Sequence, residues 1–102
     1  MPRCTIECPK DISRQVGLEL LVNLVHETIS QYLHFIQLPL ITQILLAEHS
    51  RVSDQNQGYL LLQLYGFEQL NEGQRASLHT DLQACIHELI PDLSLREIRF
   101  NQ

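Results

Sequence analysis

The most distinctive chemical possibility of the chain lies in its first two residues. A small second residue ordinarily lets methionine aminopeptidase remove the initiator Met1, and the second residue here is Pro2. Removal of Met1 leaves Pro2 with a free secondary amine. Such an amine acts as a base or nucleophile when cationic neighbours and an apolar pocket disfavour its protonated form. The opening therefore predicts a catalytic proline in the processed chain.

The other potentially reactive side chains are not spaced as a metal or nucleophile site requires. Cys4 and Cys8 share one face of an extended strand, but they lie about 13 Å apart along it, too far for one tetrahedral ion. Neither a Gly-rich phosphate loop nor a nucleophile elbow occurs in the chain. Two histidine pairs are each eight residues apart, about two helical turns: His26 with His34, and His79 with His87.

Composition limits the class of protein. The chain has 102 residues, of which 44% are apolar and 19% charged, as expected for one globular domain spanning residues 1–102. Seven basic and 12 acidic residues give 7 − 12 = −5, so we expect no nucleic-acid partner. No apolar run approaches the roughly 20 residues of a membrane helix. Three cysteines form no disulfide framework, which favours a reducing compartment such as the cytoplasm.

The first half of the chain has the pattern of a strand, a helix and a second strand. Residues 2–8 alternate between apolar and polar, which predicts a half-buried strand, and Asp11 then fits a helix N-cap. The helix ends near Ile36, because Pro39 cannot continue it. Residues 40–48 fit a buried strand or a helix, and their β-branched content favours the strand. The helix has an apolar stripe of Leu18, Leu21, Val22, Val25, Ile29, Tyr32, Leu33 and Ile36.

The second half repeats this order after a polar loop over residues 49–58. Tyr59–Phe67 alternates as a strand, and residues 95–100 alternate again as the last strand. Between them Asn71 is followed three residues later by Gln74, which predicts a capping box at the start of a second helix. Pro91 ends that helix, whose apolar stripe is Leu78, Leu82, Cys85, Ile86 and Leu89.

This order predicts an α/β (α+β) fold built from a doubled β-α-β unit. Right-handed crossovers make the two strands of each unit parallel, and two units side by side form a four-stranded mixed sheet with both helices on one face. The same element order also describes ferredoxin-like domains. The uncovered sheet face would carry Arg3, Thr5, Glu7, Gln63, Glu97 and Arg99 beside Leu61 and Leu95.

The opening MPRCTIEC, followed by a helix and this doubled plan, resembles the tautomerase superfamily, and within it the 5-carboxymethyl-2-hydroxymuconate isomerases. The resemblance extends from the opening strand through Pro39-Leu40 to Glu88-Leu89-Ile90 at the end of the second helix. It implies that Pro2 acts as general base and then acid, moving a proton between an enol oxygen and a carbon. It also implies a small carboxylated substrate, no metal or organic cofactor, and a homotrimer.

In such enzymes arginines hold the substrate carboxylates, a task that suits a bidentate guanidinium. The resemblance implies this role for Arg14, at the start of the first helix, and for Arg51, after the second strand. A glycine-arginine-serine segment usual before the second helix is replaced here by Gly73-Gln74-Arg75. Tyr59, Tyr65 and Phe67 are candidates for an apolar wall or for the core.

Two other functions fit the sequence. One is a protein of the same fold that has lost catalysis and serves in binding or assembly, in which case Met1 is retained. The other is a ferredoxin-like module that binds a small regulatory ligand.

Overall fold

The computed structural model describes residues 1–14, 16–33, 39–47, 58–93 and 95–101. Four strands and two α-helices follow the expected order. They are β1 (Arg3–Pro9), α1 (Leu18–Leu33), β2 (Ile41–Ala47), β3 (Tyr59–Tyr65), α2 (Glu72–Leu89) and β4 (Leu95–Asn101). The predicted end of the first helix near Ile36 and most of the loop over residues 49–58 lie outside the described residues.

The strands form one sheet in the order β2-β1-β3-β4. Strands β1 and β2 are parallel, as are β3 and β4, whereas β1 and β3 are antiparallel. Each unit therefore joins adjacent parallel strands through one helix. In a ferredoxin-like split β-α-β the two strands are separated by another strand, so this topology excludes that alternative.

Alternation along the strands determines which face of the sheet is covered. In β1, Cys4, Ile6 and Cys8 are fully buried, while Arg3 is exposed. Helix α1 packs against α2 and β2, and α2 packs against β4. The helices thus cover one face, and the other face carries the mixed polar and apolar residues that the alternation predicts.

The first helix begins later than its sequence suggests. Asp11 is not an α-helical N-cap, because Lys10–Arg14 form a 3-10 helix. The amide of Val16 donates to the carbonyl oxygen of Ile12 at 3.2 Å, and α1 begins after Gly17, whose carbonyl oxygen accepts from Leu21 at 3.0 Å. Glycine weakens a helix interior, and it separates the short turn from the α-helix here.

Contacts between the helices include polar ones. The Tyr32 hydroxyl donates a hydrogen bond to the Asp81 carboxylate. Thr28 and Cys85 approach to 3.4 Å, and the Thr28 hydroxyl also donates to the Leu24 carbonyl oxygen at 2.8 Å. None of the described helices has the length and hydrophobicity that a bilayer crossing needs.

Candidate active site

The sheet topology brings Pro2 to a meeting point of four strands. In the register Arg3 lies between Ile41 and Tyr65, and Tyr65 faces Asn101. The start of β1 and β2 and the end of β3 and β4 therefore lie together, and we refer to this as the proline end of the sheet. Pro2 is buried there, and its carbonyl oxygen accepts a hydrogen bond from the Ile41 amide at 3.2 Å.

Gly66, the first residue after β3, lies directly against the peptide that joins Met1 to Pro2. A Cβ atom at Gly66 would be 2.7 Å from the Met1 carbonyl oxygen and 3.1 Å from the Pro2 Cα. Its φ of 82° lies in the left-handed region, which glycine adopts without strain. Position 66 therefore has no room for a side chain, because a Cβ there would collide with the Met1–Pro2 peptide.

The bonding of the Pro2 nitrogen decides whether it can act as a base. While Met1 is attached, this nitrogen belongs to an amide and has no basic lone pair. Removal of Met1 takes away the carbonyl group that packs against Gly66 and leaves a secondary amine beside the glycine backbone. The Met1 side chain is 71% exposed, so the structure places no core packing in the way of its removal.

Arg3, the residue that follows Pro2, carries a positive charge on the open face of the sheet. Its guanidinium lies over the Tyr65 ring, 4.8 Å from the ring centroid, a cation–π contact that holds the charge at the proline end. A neighbouring cation disfavours protonation of an amine. The alternation of the strand predicts only that Arg3 lies on the open sheet face, and its position directly after Pro2 is the signal for a role at the proline end.

Arg14, one of the two arginines expected to bind carboxylates, is not at Pro2 within one chain. Arg14 is the last residue of the 3-10 helix, not part of the first α-helix, because the turn and Gly17 precede α1. It follows the far end of β1, and that strand of seven residues is about 20 Å long at roughly 3.3 Å per residue. Arg51 lies outside the described residues.

Among the candidate aromatic residues, Tyr65 and Phe67 lie at the proline end. Tyr59 is at the other end of β3, where its hydroxyl is 3.4 Å from a carboxylate oxygen of Glu7. Phe67 is only 3% exposed and packs edge to face on Phe100. Two of the three candidate rings therefore lie at the same end of the sheet as Pro2.

The thiols of β1 belong to the core. Burial raises the pKa of Cys4 to about 12. Burial, together with the negative charges of Glu7 and Asp11, raises the pKa of Cys8 to about 11. Thiols are nucleophiles and metal ligands as thiolates, so neither group is chemically active near neutral pH. Across the described ranges, no three His, Cys, Asp or Glu side chains are grouped closely enough to hold a metal ion.

Comparison with known proteins shows similarity in structure and not in sequence. No family model and no curated protein matches the chain. The structure is similar to a 5-carboxymethyl-2-hydroxymuconate delta-isomerase, with a TM-score of 0.76 and 13% identity over 99% of this chain and 83% of the other. It is also similar to macrophage migration inhibitory factor from Toxoplasma gondii, with a TM-score of 0.67 and 9% identity over 98% and 88% of the two chains.

A third similar structure is that of Pt0534 inactivated by 2-oxo-3-pentynoate, with a TM-score of 0.66 and 18% identity over 97% of this chain and 84% of the other. Identities this low establish the fold alone. The doubled β-α-β arrangement with Pro2 at the start of its central strand is thus the tautomerase fold, as the resemblance of the opening residues implied.

Proposed function

We propose that the chain is a cofactor-independent tautomerase that acts on a small, 2-hydroxymuconate-like carboxylate and uses Pro2 as its base. The observation that supports this most strongly is the burial of Pro2 at the start of a central strand, with the Gly66 backbone against its peptide and the cationic Arg3 next in the chain. Burial and a nearby cation both lower the proton affinity of an amine. The processed Pro2 nitrogen is therefore expected to be largely neutral near pH 7, as a general base must be.

The proposed reaction moves one proton and needs no redox partner. The neutral Pro2 amine takes the proton from the enol hydroxyl, and the oxygen becomes a carbonyl as the double bond shifts. The pyrrolidinium then returns the same proton to carbon, which restores the neutral amine. Every bond that breaks or forms in this reaction lies in the substrate or at the Pro2 nitrogen.

Arg14 and Arg51 remain the proposed carboxylate ligands. Because Arg14 is separated from Pro2 by the length of β1, we propose that it reaches the substrate from a neighbouring subunit. A guanidinium that crosses a subunit boundary would make the active site depend on assembly. This agrees with the homotrimer that the resemblance implies.

The open face of the sheet is the proposed assembly surface. It carries exposed leucines on both outer strands, with Leu45 of β2 50% exposed and Leu95 of β4 46% exposed. Exposed apolar residues on an outer strand favour association unless another surface covers them. We place this small-molecule enzyme in the cytoplasm, because its described cysteines are all free thiols. We expect no nucleic-acid or membrane partner for it.

The direct test combines turnover with covalent labelling. The processed protein should tautomerise phenylenolpyruvate or 2-hydroxymuconate, and 2-oxo-3-pentynoate should add to the peptide that begins with Pro2. The Pro2→Ala variant should lose most of this activity, by at least about 100-fold, the usual contribution of a general base. Its circular dichroism and oligomeric state should not change.

A rate in Pro2→Ala equal to that of the parent protein would reject the role of Pro2. Intact mass tests the non-catalytic alternative, in which Met1 is retained and the Pro2 nitrogen remains an amide. A protein that keeps Met1 when isolated from its native host would support binding or assembly in place of catalysis.

A further inference from the structure

A small cavity lies at the proline end of the sheet on the side away from β1. It is bounded by the end of β3, the first turn of α2 and the end of β4, and its volume is about 140 Å³. Pro2 does not line it. The residues that line it are Phe67, Glu68, Arg75, Phe100 and Asn101.

The apolar side of the cavity is formed by two aromatic rings. Phe67 and Phe100 pack edge to face, with ring centroids 6.2 Å apart and planes at 81°. A cavity of about 150 Å³ is large enough for benzene, and drug-sized ligands need at least about 300 Å³. This cavity therefore has room for one side chain of the size of a phenyl or branched alkyl group.

The polar side of the cavity has one charge of each sign. Arg75 is half-buried, and its Nη1 donates to the Leu70 carbonyl oxygen at 2.7 Å, which fixes the guanidinium and leaves its other N–H groups available in geometry for a carboxylate. Glu68 is exposed at the mouth of the cavity. Within the described ranges these two residues form no ion pair with each other.

Arg75 and Glu68 place two charges of opposite sign at the cavity without an ion pair between them. On the open sheet face the chain pairs Arg99 with Glu97 at 2.8 Å. Arg75 also lies in the first turn of α2, where the helix dipole disfavours a cation, so helix stability does not account for it. A ligand with both a negative and a positive group would satisfy both residues.

The backbone holds this arrangement in place before any ligand binds. The Leu70 amide donates to the Phe67 carbonyl oxygen at 3.1 Å, which closes the turn between Glu68 and α2. The capping box of Asn71 and Gln74 then fixes the first turn of the helix. Such preorganisation lowers the entropy cost of binding a small molecule.

We propose that this cavity binds a free α-amino acid with an aromatic or branched apolar side chain. The side chain packs against the pair formed by Phe67 and Phe100, the α-carboxylate binds Arg75, and the α-ammonium binds Glu68. This site is separate from the proposed tautomerase site, and it requires neither Pro2 nor the removal of Met1.

Isothermal titration calorimetry on the full chain tests this with L-phenylalanine and analogues that each lack one charge. L-phenylalanine should bind, whereas 3-phenylpropanoate, without the ammonium, and 2-phenylethylamine, without the carboxylate, should each bind at least about tenfold more weakly. Arg75→Gln and Glu68→Gln should weaken binding of L-phenylalanine by a similar factor. Arg99→Gln, which breaks the exposed ion pair on the other face, is the matched control and should bind as the parent does.

The proposal also requires that Pro2→Ala bind L-phenylalanine with unchanged affinity, which separates it from the proposed catalysis. Equal binding of 3-phenylpropanoate and L-phenylalanine, together with no effect of Glu68→Gln, would overturn the assignment of an amino acid. Absence of binding by both L-phenylalanine and L-leucine to the folded protein would overturn the site itself.

Discussion

At the level of single residues, Gly66 controls the environment of the Pro2 nitrogen. Its backbone has a φ of 82° and contacts both sides of the Met1–Pro2 peptide. Part of that contact, the one with the Met1 carbonyl, disappears when Met1 is removed. The part with the Pro2 Cα remains. A side chain at position 66 should therefore lower the stability of the unprocessed chain more than that of the processed chain.

Gly66→Ala should lower the free energy of unfolding by at least about 1–2 kcal/mol, the cost of left-handed backbone for a residue with a Cβ. The loss should be larger in a chain that keeps Met1, because only there does the new Cβ meet the carbonyl oxygen at 2.7 Å. Urea denaturation of both forms measures the difference.

Gly17→Ala is the control for this substitution, because a Cβ there would meet only the Leu20 Cβ, at an ordinary 3.9 Å. We expect a change within about 0.5 kcal/mol for it. Equal effects of Gly66→Ala on the processed and unprocessed chains would contradict the contact with Met1.

The buried thiols of β1 make stability depend on alkaline pH. Folding raises the pKa of Cys4 from 9.0 to about 12 and that of Cys8 from 9.0 to about 11. In the unfolded chain both lose their protons near pH 9, while the folded chain retains them, so rising pH favours unfolding. The free energy of unfolding that the protonated thiols contribute is fully present below pH 9 and is lost as the pH rises towards 11–12. Each thiol accounts for a loss of up to about 1.4 kcal/mol per pH unit in this range.

Denaturation at pH 7.5, 9 and 10 should therefore show a steeper loss of stability in the parent than in Cys4→Ala/Cys8→Ala. The comparison concerns the slope with pH, because the double variant also loses core packing at every pH. Parallel slopes would show that these thiols do not cause the alkaline loss.

At the level of the elements, α2 is stabilised at its start by local hydrogen bonds. The Gln74 amide donates to the Asn71 side chain and the Asn71 amide donates to the Gln74 side chain, both at 2.8 Å. The same turn carries Arg75, so the cap also positions the cavity proposed to bind an amino acid. In contrast, the turn before α1 forms a 3-10 helix and places Arg14 away from Pro2.

Asn71→Ala should cost about 1 kcal/mol in the free energy of unfolding, since alanine leaves the amide of Gln74 without its acceptor. Gln74→Ala should cost less, and the double variant should cost less than the sum, because each side chain serves the amide of the other residue. Chemical denaturation measures all three variants. Glu88→Ala, exposed near the end of the same helix, should change stability by less than about 0.5 kcal/mol, and a loss in Asn71→Ala no larger than that would contradict the cap.

At the level of the whole molecule, the described residues leave one face of a four-stranded sheet without a covering layer. The sheet ends on each side in a strand that bears exposed apolar residues, with Ile41 42% and Leu45 50% exposed on β2. A second candidate surface is the outer side of α1, where Leu20 is 55% exposed. The two surfaces can be distinguished by charge substitution.

If three chains assemble through the open sheet face, Leu45→Asp should convert a trimer of about 35 kDa, three times 11.8 kDa, into folded monomers. A buried, unpaired carboxylate is costly in an interface. Leu20→Asp should leave the trimer intact. Sedimentation velocity separates these outcomes, and dissociation by Leu20→Asp but not by Leu45→Asp would assign the interface to α1.

Much of the secondary structure was predictable because its signals are local. The alternation of β1, the apolar stripe of α1 and the capping box at Asn71 each arise from residues within a few positions of one another, and the structure confirms them. The predicted start of α1 at Asp11 is too early, because Asp11 lies in the first turn of the 3-10 helix Lys10–Arg14 and α1 begins at Leu18. The carboxylate-binding roles of Arg14 and Arg51 remain predictions.

By itself the sequence determined the number and kind of elements, the core residues that alternate along β1 and β3 or recur along the helices, and a proline able to act as a base at the front of the chain. These follow from periodicity and from the chemistry of neighbouring residues. Only the tertiary structure decided that β1 lies between β2 and β3, that Gly66 packs on the Met1–Pro2 peptide, and that Arg75 meets Phe67 and Phe100 around a cavity. Those contacts join residues far apart in the chain, so they depend on strand order and register, which no local pattern specifies.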